Sequence, residues 1–330
     1  MFKITAYGVR PVEVSYFKDL NKYDYELNLV SEMLDHENAI DSKGSDGVLV
    51  RGNCLADRDN LQKFADWGIK YVFTRTVGYD HIDLKAAKEL GIKVARVPGY
   101  SPYAVAELAM TLGMSLFRKV ASEINATHDG DFIVNDSYFS REIHSGTVGI
   151  IGAGRIGRAE ASLYSGMGAT VLANDGHKVD APEIDEYVPI NELLKRSDIV
   201  SLHVPYIKGE TDNLISTDQI NMMKDDAILV NTARGQVVDL KAVDDALSAG
   251  KLGGYGADVL IDESNIFGHE FKSVNDIKNQ EVVGLMKKYP NAIVTPHVGS
   301  FTEPALTDMI TVSYDNFHEM VTTGKSKNEI

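Results

Sequence analysis

This chain is poor in cysteine and in basic residues, and it has no long apolar run. Its 330 residues include one cysteine, Cys54, so no intrachain disulfide can form and nothing points to an oxidising compartment. Cys54 reads as a small buried filler rather than a nucleophile, because nothing nearby marks an electropositive, activated thiol. Lys and Arg number 33 against 48 Asp and Glu. The resulting formal net charge of −15 argues against non-specific binding to nucleic acid or anionic membranes. An anionic ligand would need local cations working against the overall field. No apolar stretch approaches the length of a membrane span. The N-terminus "MFKITAYGVR" has neither the apolar region nor the cleavage site of a signal peptide, so a cytoplasmic location is expected.

The length suggests two domains, each large enough to bury a core. Strand candidates in the first third are "KITAYGV", "GVLVRG", "KYVFTR" and "KVARVP". Helical stretches such as "NLQKFADWG" and "DLKAAKELG" lie between them, each closing on a glycine that accepts positive φ. Strand, helix, Gly, strand is the signature of βαβ units. After Ser101 and Pro102 a helix begins that is apolar on most faces, which implies burial under two domains or against another subunit. A second βα series runs from "GTVGIIGAGRIG" through "ATVLAND", "DIVSLHVP", "AILVNTARG" and "LGGYGADVL" to "AIVTPHVGS". The last segment, "EPALTDMITVSYDNFHEMV", reads as one amphipathic helix. Two open parallel α/β sheets are implied.

"GIIGAGRIG" carries G-x-G-x-x-G at Gly152, Gly154 and Gly157, between an apolar strand at 147–151 and a helical pattern. In that context Gly152 permits the tight turn, Gly154 the approach of a pyrophosphate, and Gly157 close helix–sheet packing. The amides at Arg155 and Ile156 open the helix whose N-terminus would take the anion. Asp175 ends the next strand, where a carboxylate accepts hydrogen bonds from an adenosine ribose and repels a 2′-phosphate, so NAD is the expected cofactor. Nearby Lys178 softens that discrimination.

A nicotinamide enzyme acting on a ketone needs a proton donor, a cation for the substrate and a group that tunes the donor. Arg234, His297, Asp258 and Glu263 all fall just past strands of this second series. Taken singly, each also fits a plainer role: a solvated loop charge for Arg234, a satisfied loop histidine for His297, a helix-cap acid for Glu263. No metal site is expected.

Together, "VGIIGAGRIG", "DIVSLHVP", "ILVNTARG", "GKLGGYGADV" and "TPHVG" resemble the D-2-hydroxyacid dehydrogenase family in order and spacing over essentially the whole chain. The resemblance implies a Rossmann NAD-binding domain at 102–298 inserted in a flavodoxin-like substrate domain at 1–101 and 299–330, with substrate in the cleft. It implies that Arg234 holds the substrate carboxylate and polarises the 2-oxo group, that His297 is the acid/base, and that Glu263 orients His297 and favours its protonated form. Adjacent Asp262 stays an alternative to Glu263, although the spacing from Asp258 favours Glu263. Val77 and Gly78 of "TVGYD" would offer backbone N–H groups to the same carboxylate. His203, Val204, Pro205, Thr232, Ala233 and Asp258 would line the cofactor, and Tyr100 and Phe301 the substrate. Formate dehydrogenases share the fold but pair the histidine with Gln, so Glu263 argues against that branch. The chain is most similar to the branch holding D-lactate, D-2-hydroxyisocaproate and (R)-2-hydroxyglutarate dehydrogenases, though Phe301 stands where many members carry Tyr. The apolar helix after Ser101 matches the element with which these enzymes form homodimers.

The implied activity is reversible reduction of a 2-oxo acid to the (R)-2-hydroxy acid with NADH. Alternatives are a D-lactate dehydrogenase proper and, in another class, an NAD(H)-sensing corepressor-like interaction protein. Arg51, at the end of the strand "GVLV", is shared with the (R)-2-hydroxyglutarate enzyme, whereas the lactate and isocaproate branches carry uncharged residues there. It would bind the distal carboxylate of 2-oxoglutarate, or else pair with Asp57 or Asp59 and leave pyruvate or another small 2-oxo acid as substrate.

Overall fold

Short runs of β-branched and aliphatic residues become parallel strands here because both faces of each sheet are covered by helices. The computed structural model describes residues 1–330 and divides the chain into two units, Met1–Ser101 with Phe301–Ile330, and Pro102–Ser300.

The first unit runs β1 (Lys3–Ala6), α1 (Glu13–Asp19), β2 (Glu26–Leu29), β3 (Gly47–Val50), α2 (Arg58–Asp66), β4 (Tyr71–Thr74), α3 (Leu84–Glu89) and β5 (Lys93–Ala95). The sheet order is β2-β1-β3-β4-β5, all parallel, which is the flavodoxin-like arrangement. Side-chain caps start the helices: Asp57 accepts from Asn60 N, and Asp83 from Ala86 N. Strand β2 was not expected. Its sequence "ELNL" is an edge strand with no fully buried residue, so it shows no apolar run.

The second unit begins with α4 (Pro102–Phe117) and α5 (Val120–His128), then β6 (Thr147–Ile151), α6 (Arg155–Gly166), β7 (Thr170–Asn174), β8 (Glu186–Tyr187) and α7 (Ile190–Arg196). It continues with β9 (Ile199–Leu202), α8 (Thr217–Met222), β10 (Ala227–Asn231), α9 (Leu240–Ser248), β11 (Leu252–Ala257), α10 (Gln280–Met286) and β12 (Ala292–Val294). Its seven parallel strands are ordered β12-β11-β10-β9-β6-β7-β8, a Rossmann sheet whose order reverses between β6 and β9. The two-residue β8, an exposed edge, also escaped the sequence pattern. Within the single chain, helix α4 is buried along one face. Ala109, Leu112, Leu116 and Phe117 pack with Val148, Ile150, Ile228 and Val230 of its own unit's sheet, while Glu107 and Thr111 are exposed. No helix is long and apolar enough to cross a membrane.

The final helix, α11 (Glu303–Thr323), belongs to the first unit and ends at Gly324 with φ 78°. Its Leu306, Ile310, Tyr314, Phe317 and Met320 cover Ile4, Leu49 and Phe73 of the sheet. Phe317 stacks on Phe73 at 4.3 Å between centroids. Truncation to Phe317→Ala should cost about 3–5 kcal/mol, read from urea unfolding. A loss below about 1 kcal/mol would show that the helix does not close this core.

Candidate active site

The dinucleotide turn lies between β6 and α6, at the carboxyl end of the strand where the sheet order reverses. Gly152 has φ 96°, and a Cβ there would lie 2.7 Å from the His203 carbonyl carbon. A Cβ on Gly157 would come within 2.1 Å of the Gly152 carbonyl oxygen. Gly154, by contrast, opens on free space and is the N-cap of α6, with no side chain capping the helix. Uncapped amides beside an open backbone suit a pyrophosphate. Asp175 follows β7, half-exposed, its Oδ1 accepting from His177 N at 2.7 Å. Thr232 Oγ1, just past β10, is buried without a partner among the protein atoms. These groups have the chemistry an NAD molecule needs: open, uncapped amides at the start of α6 for a pyrophosphate and a carboxylate at Asp175 for a ribose. Val204 and Pro205 are half-buried and exposed at the end of β9, and Ala233 is buried beside Thr232.

Two expected cofactor contacts are different in the structure. The His203 imidazole turns inward: its side chain is 3 % exposed and pairs with Glu160 of α6. Asp258 is 2 % exposed and its oxygens accept from Thr295 Oγ1 at 2.6 Å, Val298 N at 2.9 Å and Gly299 N at 2.8 Å. With its acceptors engaged by that loop, it is buried beneath it rather than facing a dinucleotide. Burial raises its pKa, against the opposing effect of the Thr295, Val298 and Gly299 hydrogen bonds.

That loop carries His297, a non-glycine residue at φ 53°. His297 Nδ1 lies 3.0 Å from Glu263 Oε1, with both side chains partly buried. Asp262 does not compete. Its own φ is 58°, and its carboxylate accepts from Asn265 Nδ2. Phe267 meets the imidazole edge-on at 6.4 Å. Arg234 follows β10 in extended backbone (φ −146°), its carbonyl held by Asn231 Nδ2 at 2.9 Å. The next residue must be glycine, since a Cβ on Gly235 would fall 2.1 Å from the Leu260 carbonyl carbon. This close approach brings the Arg234 loop against the segment leading to Glu263. The structure therefore joins His297 to Glu263 directly and places Arg234 on an adjoining loop.

In the first unit, Arg51 follows β3 and donates from Nη1 to Gly8 O at 3.3 Å. It does not pair with Asp57 or Asp59. Asp57 instead caps α2 and meets His36 Nε2 at 2.8 Å. Two arginines that sequence reasoning did not select join Arg51. Arg75 Nη2 donates to Gly8 O and to Glu13 Oε2, each at 2.9 Å, and Arg10 Nη1 to Glu13 Oε1 at 3.1 Å. The signal was available, because "YGVR" and "VFTR" each run a strand into an arginine, as "VLVR" does. Burial, then Arg10 and Arg75, push the Arg51 pKa down to about 10, which leaves it charged at neutral pH. Glu13 is 1 % exposed; burial raises its pKa, but Arg75 and Arg10 outweigh that and hold it below the usual carboxylate range. Arg10 also lies over the half-exposed Phe301 ring, at 4.1 Å from the centroid. Val77 O accepts from Arg96 Nη1 at 2.9 Å and Gly78 O from Thr76 Oγ1 at 2.7 Å, so both carbonyls are tied back and the turn is fixed. Tyr100 is half-buried after β5.

Comparison with known proteins agrees with this geometry. Residues 110–299 match the model of the "D-isomer specific 2-hydroxyacid dehydrogenase, NAD binding domain" family. The chain is 35 % identical to an aromatic 2-oxoacid reductase of Clostridium sporogenes, over 99 % of this chain and 98 % of that protein. It is 33 % identical to a D-lactate dehydrogenase of Lactiplantibacillus plantarum, over 99 % of each. Among solved structures it superposes on a D-2-hydroxyisocaproate dehydrogenase with a TM-score of 0.88 at 33 % identity, covering 100 % of this chain and 99 % of that one. An NAD-complexed D-isomer-specific 2-hydroxyacid dehydrogenase from Lactobacillus delbrueckii ssp. bulgaricus gives 0.83 at 34 % identity, over 99 % of each. The chain belongs to the D-isomer-specific 2-hydroxyacid dehydrogenase family and is an NAD-dependent oxidoreductase.

Proposed function

We propose that this enzyme reduces a 2-oxo acid carrying a second carboxylate, with 2-oxoglutarate as the leading candidate, to the (R)-2-hydroxy acid. The observation that carries this reading is the excess of cations at the ends of β1, β3 and β4. Arg10, Arg51 and Arg75 share one buried counterion, Glu13, in a chain of net charge −15. The sheet order of this unit reverses between β1 and β3, where open α/β sheets take their ligands. The lactate and aromatic acids named for the relatives have no second charge to offer such a cluster.

NADH, when bound, supplies the hydride. The remaining demands fall on the chain. Arg234 offers a planar guanidinium fork to the carboxylate next to the 2-oxo group and draws electron density from the carbonyl. His297 donates a proton from Nε2 to the carbonyl oxygen as C2 is reduced, and takes it back in the reverse direction. Glu263 accepts from Nδ1–H, which fixes the tautomer and orients the ring. Val77 and Gly78 add backbone donors to the first carboxylate, and Arg51 takes the second. Asp175 favours NAD over its 2′-phosphorylated form, while Tyr100 and Phe301 bound the substrate.

The enzyme works as a homodimer in this reading. Phe132, Ile133, Val134 and Phe139 are 77, 72, 87 and 85 % exposed, and with residues of α5 they line a hollow of about 620 Å³. Apolar side chains so exposed mark an interaction surface. Acidic Glu123, Asp131 and Asp136 rim the hollow, which disfavours an anionic membrane and leaves a second copy of the chain as the occupant.

Three measurements test these assignments. His297→Ala should lower turnover by about 10²–10⁴-fold, and Glu263→Ala, which frees the ring, should lower it as well with little change in the KM for the 2-oxo acid. Near-normal turnover of either variant refutes the pair. Arg51→Ala should cost about 10–150-fold in kcat/KM for 2-oxoglutarate and little for pyruvate. Equal losses on both acids would contradict the dicarboxylate reading. Light scattering should find a dimer that Phe132→Ser with Val134→Asp converts to monomer, whereas a monomeric parent protein rules the interface out.

A further inference from the structure

The apolar stripe of α6 contains an acid. Gly157, Glu160, Ala161 and Tyr164 are buried at helical spacing, and Glu160 is 0 % exposed. Its Oε2 meets His203 Nε2 in a short hydrogen bond, and Ser201 Oγ lies 3.2 Å from the same nitrogen. Glu160 Oε1 and the Tyr164 hydroxyl are both sealed and have no partner in the protein. Burial, and then the nearby Glu160 carboxylate, hold the Tyr164 pKa well above its ordinary value.

Stability does not account for this arrangement. A half-satisfied polar cluster costs more than an apolar core, and apolar replacement of a buried pair is often neutral or stabilising. Position accounts for it better. Glu160 sits on the helix that opens at the phosphate-binding turn, and His203 directly follows β9, the strand beside β6 at the reversal of the sheet. The His203 backbone is the surface against which Gly152 packs, at 2.7 Å from where a Cβ would be, and His203 N donates to Ile151 O at 2.8 Å. The imidazole is buried while Val204 and Pro205 reach the surface.

We propose that Glu160 is a positioning residue for the dinucleotide site: by holding the His203 imidazole it fixes the His203–Val204 backbone against Gly152, and so sets the affinity of the turn for NAD(H). A carboxylate accepts only, so it places the proton on Nε2 and locks the ring in one tautomer and one orientation. A ring released from that bond can rotate and carry the strand end with it. The proposal rests on membership of an NAD-dependent family and is independent of which 2-oxo acid is reduced.

The test uses the full chain and NADH alone, titrated by nicotinamide fluorescence, with thermal melting of the ligand-free protein alongside. Glu160→Leu should raise the NADH Kd about tenfold, the loss expected for one charge-assisted hydrogen bond, without lowering Tm by more than about 3 °C. The KM for the 2-oxo acid at saturating NADH should stay within about twofold, since uniform binding of that substrate is untouched. Glu160→Gln, whose amide oxygen still accepts from Nε2–H, should keep the NADH Kd within about threefold. The double variant Glu160→Leu/His203→Leu, which replaces the whole pair by apolar groups, should fold and bind NADH no better than Glu160→Leu. A folded Glu160→Leu protein with wild-type NADH affinity overturns the proposal, as does a Gln variant as weak as the Leu variant. Should Glu160→Leu fail to fold, wild-type NADH affinity in the double variant overturns it.

Discussion

One buried carboxylate holds the chemistry in place. Asp258 gathers the Thr295 hydroxyl and the amides of Val298 and Gly299, and so bends the chain after β12 around His297. A histidine at φ 53° sits in a region few non-glycine residues occupy, at a cost of order 1–3 kcal/mol that the surroundings must offset. Three hydrogen bonds to one sequestered acceptor supply that offset. The result is an imidazole whose Nδ1 already faces Glu263, the arrangement that the proposed acid/base role of His297 requires. Removing either carboxylate would affect the other's task, because one sets the backbone and the other sets the ring.

Much of the fold was legible because its strands are buried on both faces. "TVGII", "IVSL" and "AILVN" are unbroken apolar runs, and each became a strand within a residue or two of the reading. The strands that escaped, β2 and β8, are sheet edges with polar, half-exposed sequences, and nothing in "ELNL" or "EY" distinguishes them from loop. The sequence of the helix after Ser101 is apolar on most faces. Only the structure shows that one face lies on its own unit's sheet, while Glu107 and Thr111 are exposed in the single chain.

The site divides along the same line. Motifs local in sequence gave the glycine turn, Arg234, His297 and Glu263 as candidates. Groups that depend on a distant partner were hidden. Glu13 and Arg75 are 62 residues apart and Glu160 and His203 are 43 apart, so neither pair shows in any short window. Asp258 follows a strand of the cofactor sheet, but a strand end does not say whether a side chain turns outward or under the next loop. For Arg51 the sequence leaves two kinds of partner open. Asp57 was already committed to a helix cap and to His36, which leaves the Gly8 carbonyl and the neighbouring arginines as the surroundings of Arg51.

The most direct measurement is steady-state oxidation of NADH with a panel of acids: pyruvate, 2-oxoglutarate, 2-oxoisocaproate and phenylpyruvate. Turnover with the highest kcat/KM for 2-oxoglutarate, and an (R)-2-hydroxy acid as product, is the expected result. Turnover that is poor with every acid, although NADH binds, would contradict it and point to a dinucleotide-sensing protein built on the same fold.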